Sequence, residues 1–184
     1  MGEEWRKLEK KIVNLQSALF PFQVVDFLDR DSFKRFCDNL PHDVGSPYQN
    51  IFITGYFSET IREPLERIIK MKRNVRLICP EFPTKSRRDR RNLEALKKLA
   101  KAGAEIKINN RLHARFFVAH KPFIGLLVIG SFDFNTECIG KERYDAGIKT
   151  THPDLVKSAI KLFEQIWDEP ESIPLEDFMK KGKS

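Results

Sequence analysis

Arg111-Leu112-His113-Ala114-Arg115-Phe116-Phe117-Val118-Ala119-His120, followed by Leu126-Leu127-Val128-Ile129-Gly130-Ser131-Phe132-Asp133-Phe134-Asn135, decides how this chain is read. Successive side chains of a strand point to opposite faces. Leu112, Ala114, Phe116 and Val118 therefore share one face, and His113 and Arg115 project from the other beside Phe117. The second run is an apolar strand that delivers a Gly-Ser turn. A guanidinium next to an imidazole, with a hydroxyl from a neighbouring strand's end, is a set that can grip a phosphate and attack it. His113 and His120 are seven positions apart, so a regular strand points them to opposite faces and they share no metal.

Outward from this stretch the chain alternates β and α. Upstream, Ile51–Phe57 reads as a strand, and Ser58 caps a helix through Ile61, Leu65, Ile68 and Ile69, with Pro64 in its first turn. Asn74–Cys79 is the next strand, stopped by Pro80. A helix from about Arg87 turns Leu93, Leu96 and Leu99 inward and ends at Gly103. Ala104–Ile108 alternates as a third strand. The motif strand then follows, paired through a turn at Lys121-Pro122 with Ile124–Ile129. Arg143–Lys149 gives a further short strand, and Asp154–Trp167 a closing helix. The order βαβα and then a hairpin predicts an α/β fold, with a mixed β-sheet flanked by helices on both faces.

Before residue 49, Trp5, Leu8, Ile12, Leu15 and Leu19 mark an amphipathic helix over Glu3–Phe20. Phe22–Leu28 is a strand or a buried loop, and Asp31 is read as the cap of a short helix through Phe33, Phe36 and Leu40. The expected divisions are an N-terminal helical extension at 1–48, the α/β domain at 49–170, and a polar, frayed tail at 171–184.

At 184 residues the chain suits one well-buried core. A hydrophobic content of 41% with 32% charged residues excludes disorder over most of its length. No apolar run reaches the ~20 residues of a membrane span. Glu3, Glu4, Lys7, Glu9, Lys10 and Lys11 interrupt any leader-like segment, so a cytoplasmic location is expected. Cys37, Cys79 and Cys138 are odd in number and far apart, which implies buried thiols rather than a disulfide framework. Heavy use of Lys, Glu and Arg with only four Gln fits a heat-adapted (thermophile) source. The net charge of +7 favours a polyanionic partner. The densest basic stretch, with Arg87, Arg88, Arg90 and Arg91, is either the solvated first turn of a helix or a phosphate-contacting rim.

The motif resembles the phospholipase D superfamily, whose pattern is His-x-Lys, four residues, Asp, then a strand ending in Gly-Ser-x-Asn. His113, Gly130 and Ser131 match at suitable spacing. Arg115 stands for the Lys, His120 for the Asp and Asp133 for the Asn. Where that family often carries Asn-x-Glu, this chain has Arg143-Tyr144-Asp145, leaving Asp145 about one position out of register. The resemblance implies a phospholipase D-like phosphodiesterase, a nuclease-type hydrolase that uses no metal or other cofactor. It has one motif copy where the family's site uses two, which implies a homodimer with two facing His113 side chains. One histidine would attack phosphorus and the other protonate the leaving oxygen. Arg115 would clamp phosphoryl oxygens and Ser131 donate to one, while Asp133, a carboxylate that repels a phosphate, would orient a histidine or be protonated. Asn135 would supply the missing amide beside the Arg87, Arg88, Arg90 and Arg91 rim. Nucleic acid, DNA or RNA, is the expected substrate, and no membrane partner is expected. Two alternatives stand beside this reading: a catalytically impaired domain that binds nucleic acid or a phosphate ligand, and an assembly module that recruits a larger protein through the N-terminal helix.

Overall fold

A computed structural model of the chain describes residues 25–45, 47–82, 86–134 and 145–181. The expected helix over Glu3–Phe20, the site residue Asn135, Cys138 and the first residues of the strand expected from Arg143 lie outside them.

The sheet is organised around β2 (Asn50–Thr54), whose Ile51, Phe52, Ile53 and Thr54 are all buried. A strand buried on both faces reads as a continuous apolar run, which is what the sequence shows here. β2 pairs in parallel with β3 (Asn74–Cys79), and β3 with β4 (Glu105–Ile108). On its other side β2 pairs antiparallel with β5 (Phe116–Lys121), which forms the expected hairpin with β6 (Ile124–Gly130). β7 (Gly147–Thr150) and β1 (Val25–Leu28) continue that side, and β8 (Ile173–Pro174) closes the other edge against β4. The full order is β1-β7-β6-β5-β2-β3-β4-β8, a mixed sheet of eight strands.

One face is covered by α1 (Arg30–Asp38), α2 (Arg62–Lys70), α3 (Arg87–Ala102) and α5 (Leu175–Lys181). Phe33, Leu65, Leu96 and Leu175 bring these helices into one core with Ile51, Ile53 and Phe117. The other face is covered by α4 (Pro153–Asp168), whose Val156, Phe163 and Trp167 pack on Phe52, Ile78, Phe116 and Val118. The α/β class with helices on both faces is thus as expected.

Several local features differ from the sequence reading. The cap of α1 is Asp29, whose carboxylate accepts from Ser32 N at 2.9 Å, and Asp31 lies inside the first turn. Ser58 caps a 3-10 turn at Glu59–Ile61 rather than α2 itself, which starts at Arg62 with Pro64 in its first turn. Ser86 caps α3, and Gly103, at φ 114°, ends it in the left-handed conformation that glycine adopts at no steric cost. Residues 25–45, read as part of an extension, place β1 in the sheet and α1 in the same core. Residues 173–181 are not a frayed tail: Leu175 is buried, and Asn109 Nδ2 donates to Ser172 Oγ at 2.9 Å to anchor the turn before β8. Cys37 and Cys79 are buried, and burial pushes both thiols up to about 12.

The parallel strands set up the site. The carboxyl ends of β2, β3, β4 and β6 and the amino ends of β5 and β7 share one edge of the sheet. Strands β2, β3 and β4 step outward in order, and the chain then returns across that edge to β5 on the far side of β2. Such a reversal leaves a crevice outside the strand ends, the usual place for a ligand in an open α/β sheet.

Candidate active site at the carboxyl edge of the sheet

The segment that crosses this edge carries His113. The expected face alternation holds: Leu112, Ala114, Phe116 and Val118 join the α4-side core, and Phe117 and Ala119 the opposite one. The ladder begins at Phe116, later than the expected Leu112, and there Phe116 N donates to Thr54 Oγ1 at 3.1 Å. His113 and Arg115 have therefore run past the end of the sheet. Both are exposed, whereas Phe117, of the same parity, is fully buried. His113 makes no hydrogen bond to the described residues.

Arg115 lies across the end of β2, where Gly55 has φ 132°, and a Cβ at Gly55 would sit 3.4 Å from Arg115 Cγ. Its guanidinium is engaged: Nη1 donates to Ser131 O at 3.1 Å, and Nε lies 3.0 Å from Asp133 Oδ1. That Oδ1 is buried and has no aligned hydrogen bond, so the contact is an ion pair held by charge rather than by donor geometry. The Arg115 and Asp133 side chains are 44% and 20% exposed, so solvent screens the pair only in part.

The Gly-Ser turn has a steric cause. A Cβ at Gly130 would meet Ala146 O at 2.6 Å and Gly147 Cα at 2.8 Å, because the end of β6 and the start of β7 touch through their backbones. Ser131 N donates to Ala146 O at 3.0 Å, and Ala146 N returns a bond to Ser131 Oγ at 3.2 Å. Gly130→Ala is expected to force the two strands apart, lowering stability by ~1–3 kcal/mol and displacing Ser131. Thermal unfolding read with hydrolysis checks this; an unchanged midpoint would contradict the close approach.

Ser131 Oγ donates to Asp145 Oδ1 at 2.8 Å. Asp145 was noted in the sequence only as an acid one position out of register, and it was absent from the expected site. Its signal was proximity to the Asn-x-Glu position. His120, expected at the surface of the strand end, lies instead on the α4 face, half-buried, with its ring 5.1 Å from Phe52. Burial pushes its pKa down, opposed by the carboxylate of Glu164. It faces away from the site because it has the parity of Phe116.

The basic stretch reaches the same edge. Asp89 in the first turn of α3 accepts from Tyr56 Oη at 2.7 Å, and Tyr56 O accepts from Phe134 N at 3.1 Å. Hydrogen bonds from Tyr56 and Ser86 hold the Asp89 carboxyl below its ordinary value, and burial pushes Tyr56 up to about 12. Arg87, Arg88, Arg90 and Arg91 are exposed, and Arg91 Nε is 3.3 Å from Glu59. Phe57 and Phe132 are buried, with Phe132 stacked on Phe33 at 4.1 Å, so neither presents a ring to a base. Among the described residues no group of three His, Cys, Asp or Glu side chains is placed to hold a metal, and no helix is long and apolar enough to cross a membrane.

Arg115, Ser131, Asp133 and Asp145 are thus linked at the edge, His113 lies on the segment that crosses it, and His120 faces the other side. With this geometry in view, residues 45–167 match a family model described as cardiolipin synthase, PLD-like domain. A comparison with curated proteins finds no match. Among solved structures the chain is similar to Nuc from Salmonella typhimurium, a phospholipase D family member. The TM-score is 0.64 at 13% identity, over 82% of this chain and 97% of that one. It is similar to NucT from Helicobacter pylori at a TM-score of 0.63 and 10% identity, over 82% and 98%. The archaeal chromatin protein TrmBL2 gives 0.59 at 12% identity, over 93% of this chain and 63% of that one.

Proposed function

Because the chain belongs to the PLD-like domain family described for cardiolipin synthase, we propose that it is a phosphodiesterase that cleaves nucleic acid with His113 as nucleophile. The observation that supports this reading is the position of His113: exposed, unbonded to the described residues, and two positions before Arg115 on the segment that crosses the carboxyl edge. Its imidazole nitrogen attacks phosphorus as the bond to the leaving oxygen breaks, and that oxygen takes a proton from the His113 of a second copy. Water then breaks the phosphorus–nitrogen bond. The site is composite and the working unit a two-fold dimer, an isologous arrangement in which each copy supplies one histidine. The net charge of +7 and the four arginines opening α3 favour a polyanion over a neutral substrate. The similar archaeal chromatin protein TrmBL2, described as binding DNA, is in keeping with nucleic acid. The test is cleavage of labelled DNA and RNA by the wild-type chain, with sedimentation to establish the dimer. Absence of cleavage on every substrate would remove the enzyme reading.

A second reading, binding without turnover, is favoured by one observation: the groups expected to hold the phosphate already hold each other. Arg115 is paired with Asp133, and Ser131 with Asp145. A phosphate entering here meets two carboxylates and must compete for the guanidinium. Asp133→Asn is therefore expected to free Arg115 and tighten binding of inorganic phosphate about ten-fold, or roughly 1.4 kcal/mol. The stability cost should stay under ~1 kcal/mol, because the pair is partly solvated. Calorimetric titration with phosphate measures it; equal affinity in wild type and variant would show that Asp133 does not compete with the ligand.

A further inference from the structure

Along one flank of the domain, α3 faces the start of α2 across a groove of about 320 Å3, walled by Arg62 on one side and by Arg87, Arg90, Arg91 and Lys98 on the other. Two carboxylates also line it, and both are engaged: Glu59 lies 3.3 Å from Arg91, and Glu94 lies 2.5 Å from Lys97. Arg62 is bound to Glu66 at 2.7 Å. Arg87, Arg90 and Lys98 have no ion-pair partner among the described residues. Glu94 is held below its ordinary value by Lys97 first and by Lys98 among others, and the groove as a whole carries five cations against two carboxylates.

The arrangement is not confined to the helix end. From Arg87 to Lys98 the basic stripe covers roughly 16 Å of helix axis at about 1.5 Å per residue. Along a duplex axis one strand carries a phosphate about every 3.4 Å, so the stripe matches at most about five phosphates of a stacked strand, fewer of an extended one, and suits a polymer rather than one phosphate group. Among the described residues Ala95 is the only apolar one of the lining, and the other seven are charged. α3 starts at the edge that carries His113 and, with β3 and β4 parallel, returns along the sheet face away from it. The Arg87 end of the groove therefore opens at the same edge of the sheet as His113.

We propose that the groove is a track for the sugar-phosphate backbone of a nucleic-acid strand, contacted through Arg87, Arg90 and Lys98 without regard to base sequence. This rests on the nucleic-acid reading above and deepens it: the bound strand extends beyond the reacting phosphate by several nucleotides along α3. Phosphate contacts of this kind set position and affinity and carry no base information.

The test is binding of a labelled single-stranded deoxyoligonucleotide of about 20 nucleotides to the full chain over a salt series. Each cation on the backbone of a single strand contributes about 0.7 to the slope of log affinity against log salt. The variant Arg87→Gln with Arg90→Gln and Lys98→Gln should lose about two units of slope and at least ten-fold in affinity near 0.1 M salt. Arg87→Lys with Arg90→Lys keeps the charges and should restore the slope, which separates charge loss from misfolding. A slope in the triple variant within about half a unit of the wild type would overturn the track. Hydrolysis is followed in parallel. If the wild type does not hydrolyse but the triple variant still loses its slope, the track stands and the histidine chemistry falls. If the wild type hydrolyses and the slope is unchanged, the track alone falls.

Discussion

His113→Ala is expected to lower phosphodiester hydrolysis by at least about a thousand-fold while leaving the fold intact. The asymmetry follows from where the residue sits. His113 is exposed beyond the end of the ladder and is bonded to none of the described residues, so its removal opens no cavity and strands no buried partner. Its loss takes away the group proposed to attack phosphorus and, in the second copy of the dimer, the group proposed to protonate the leaving oxygen. Two roles vanish with one substitution, which is why the expected loss is large. Steady-state rates beside thermal unfolding measure both halves. A variant that retains a tenth of wild-type activity would move the nucleophile elsewhere.

Phe117→Ala has the largest expected effect on stability, ~3–5 kcal/mol. Phe117 is fully buried, meets Phe36 edge-on with ring centroids 5.4 Å apart and lies 6.3 Å from Phe134. These rings belong to a cluster in which Phe33 stacks on Phe132 at 4.1 Å, joining α1 to the Gly-Ser turn. Truncation removes the transfer free energy of the ring and leaves a cavity that β2, β5 and β6 cannot all close. Against a total stability of ~5–15 kcal/mol, that is at least about a fifth of it. Urea unfolding measures it from the shift in midpoint at constant slope; a loss below ~1 kcal/mol would mean that the cluster repacks.

The same residues show what could be read in advance. Alternation from Leu112 to Val118 placed four side chains on one core and Phe117 on the other, because strand parity is a local property that survives even where the ladder stops. For that reason His113 and Arg115 were found on the correct side, and His120 was expected on the opposite one. A helix starting near Arg87, its end at Gly103 and the place of Pro64 in a first turn were legible because capping and φ preferences act within a few residues; the Ser86 cap was not read. Asp29 and Asp31 could not be told apart, since each precedes the apolar positions of α1 at an acceptable distance.

The ion pair of Arg115 with Asp133 and the bond from Ser131 to Asp145 were beyond the sequence. The first joins the ends of β5 and β6 and the second the ends of β6 and β7, where Gly130 meets Gly147, relations set by three-dimensional register. The pairing of β8 with β4 was hidden for a similar reason: two residues, Ile173 and Pro174, carry no periodicity. Burial of Leu175 supplies what the polar composition of that segment concealed.

The central question is whether the carboxyl edge performs chemistry with its own side chains. The direct measurement is cleavage of labelled single- and double-stranded DNA and RNA by the wild-type chain in excess EDTA. Hydrolysis that persists in EDTA and disappears in His113→Ala is the predicted result. Oligonucleotide binding with no cleavage in EDTA or in added divalent metal would contradict it and leave the edge as a binding site.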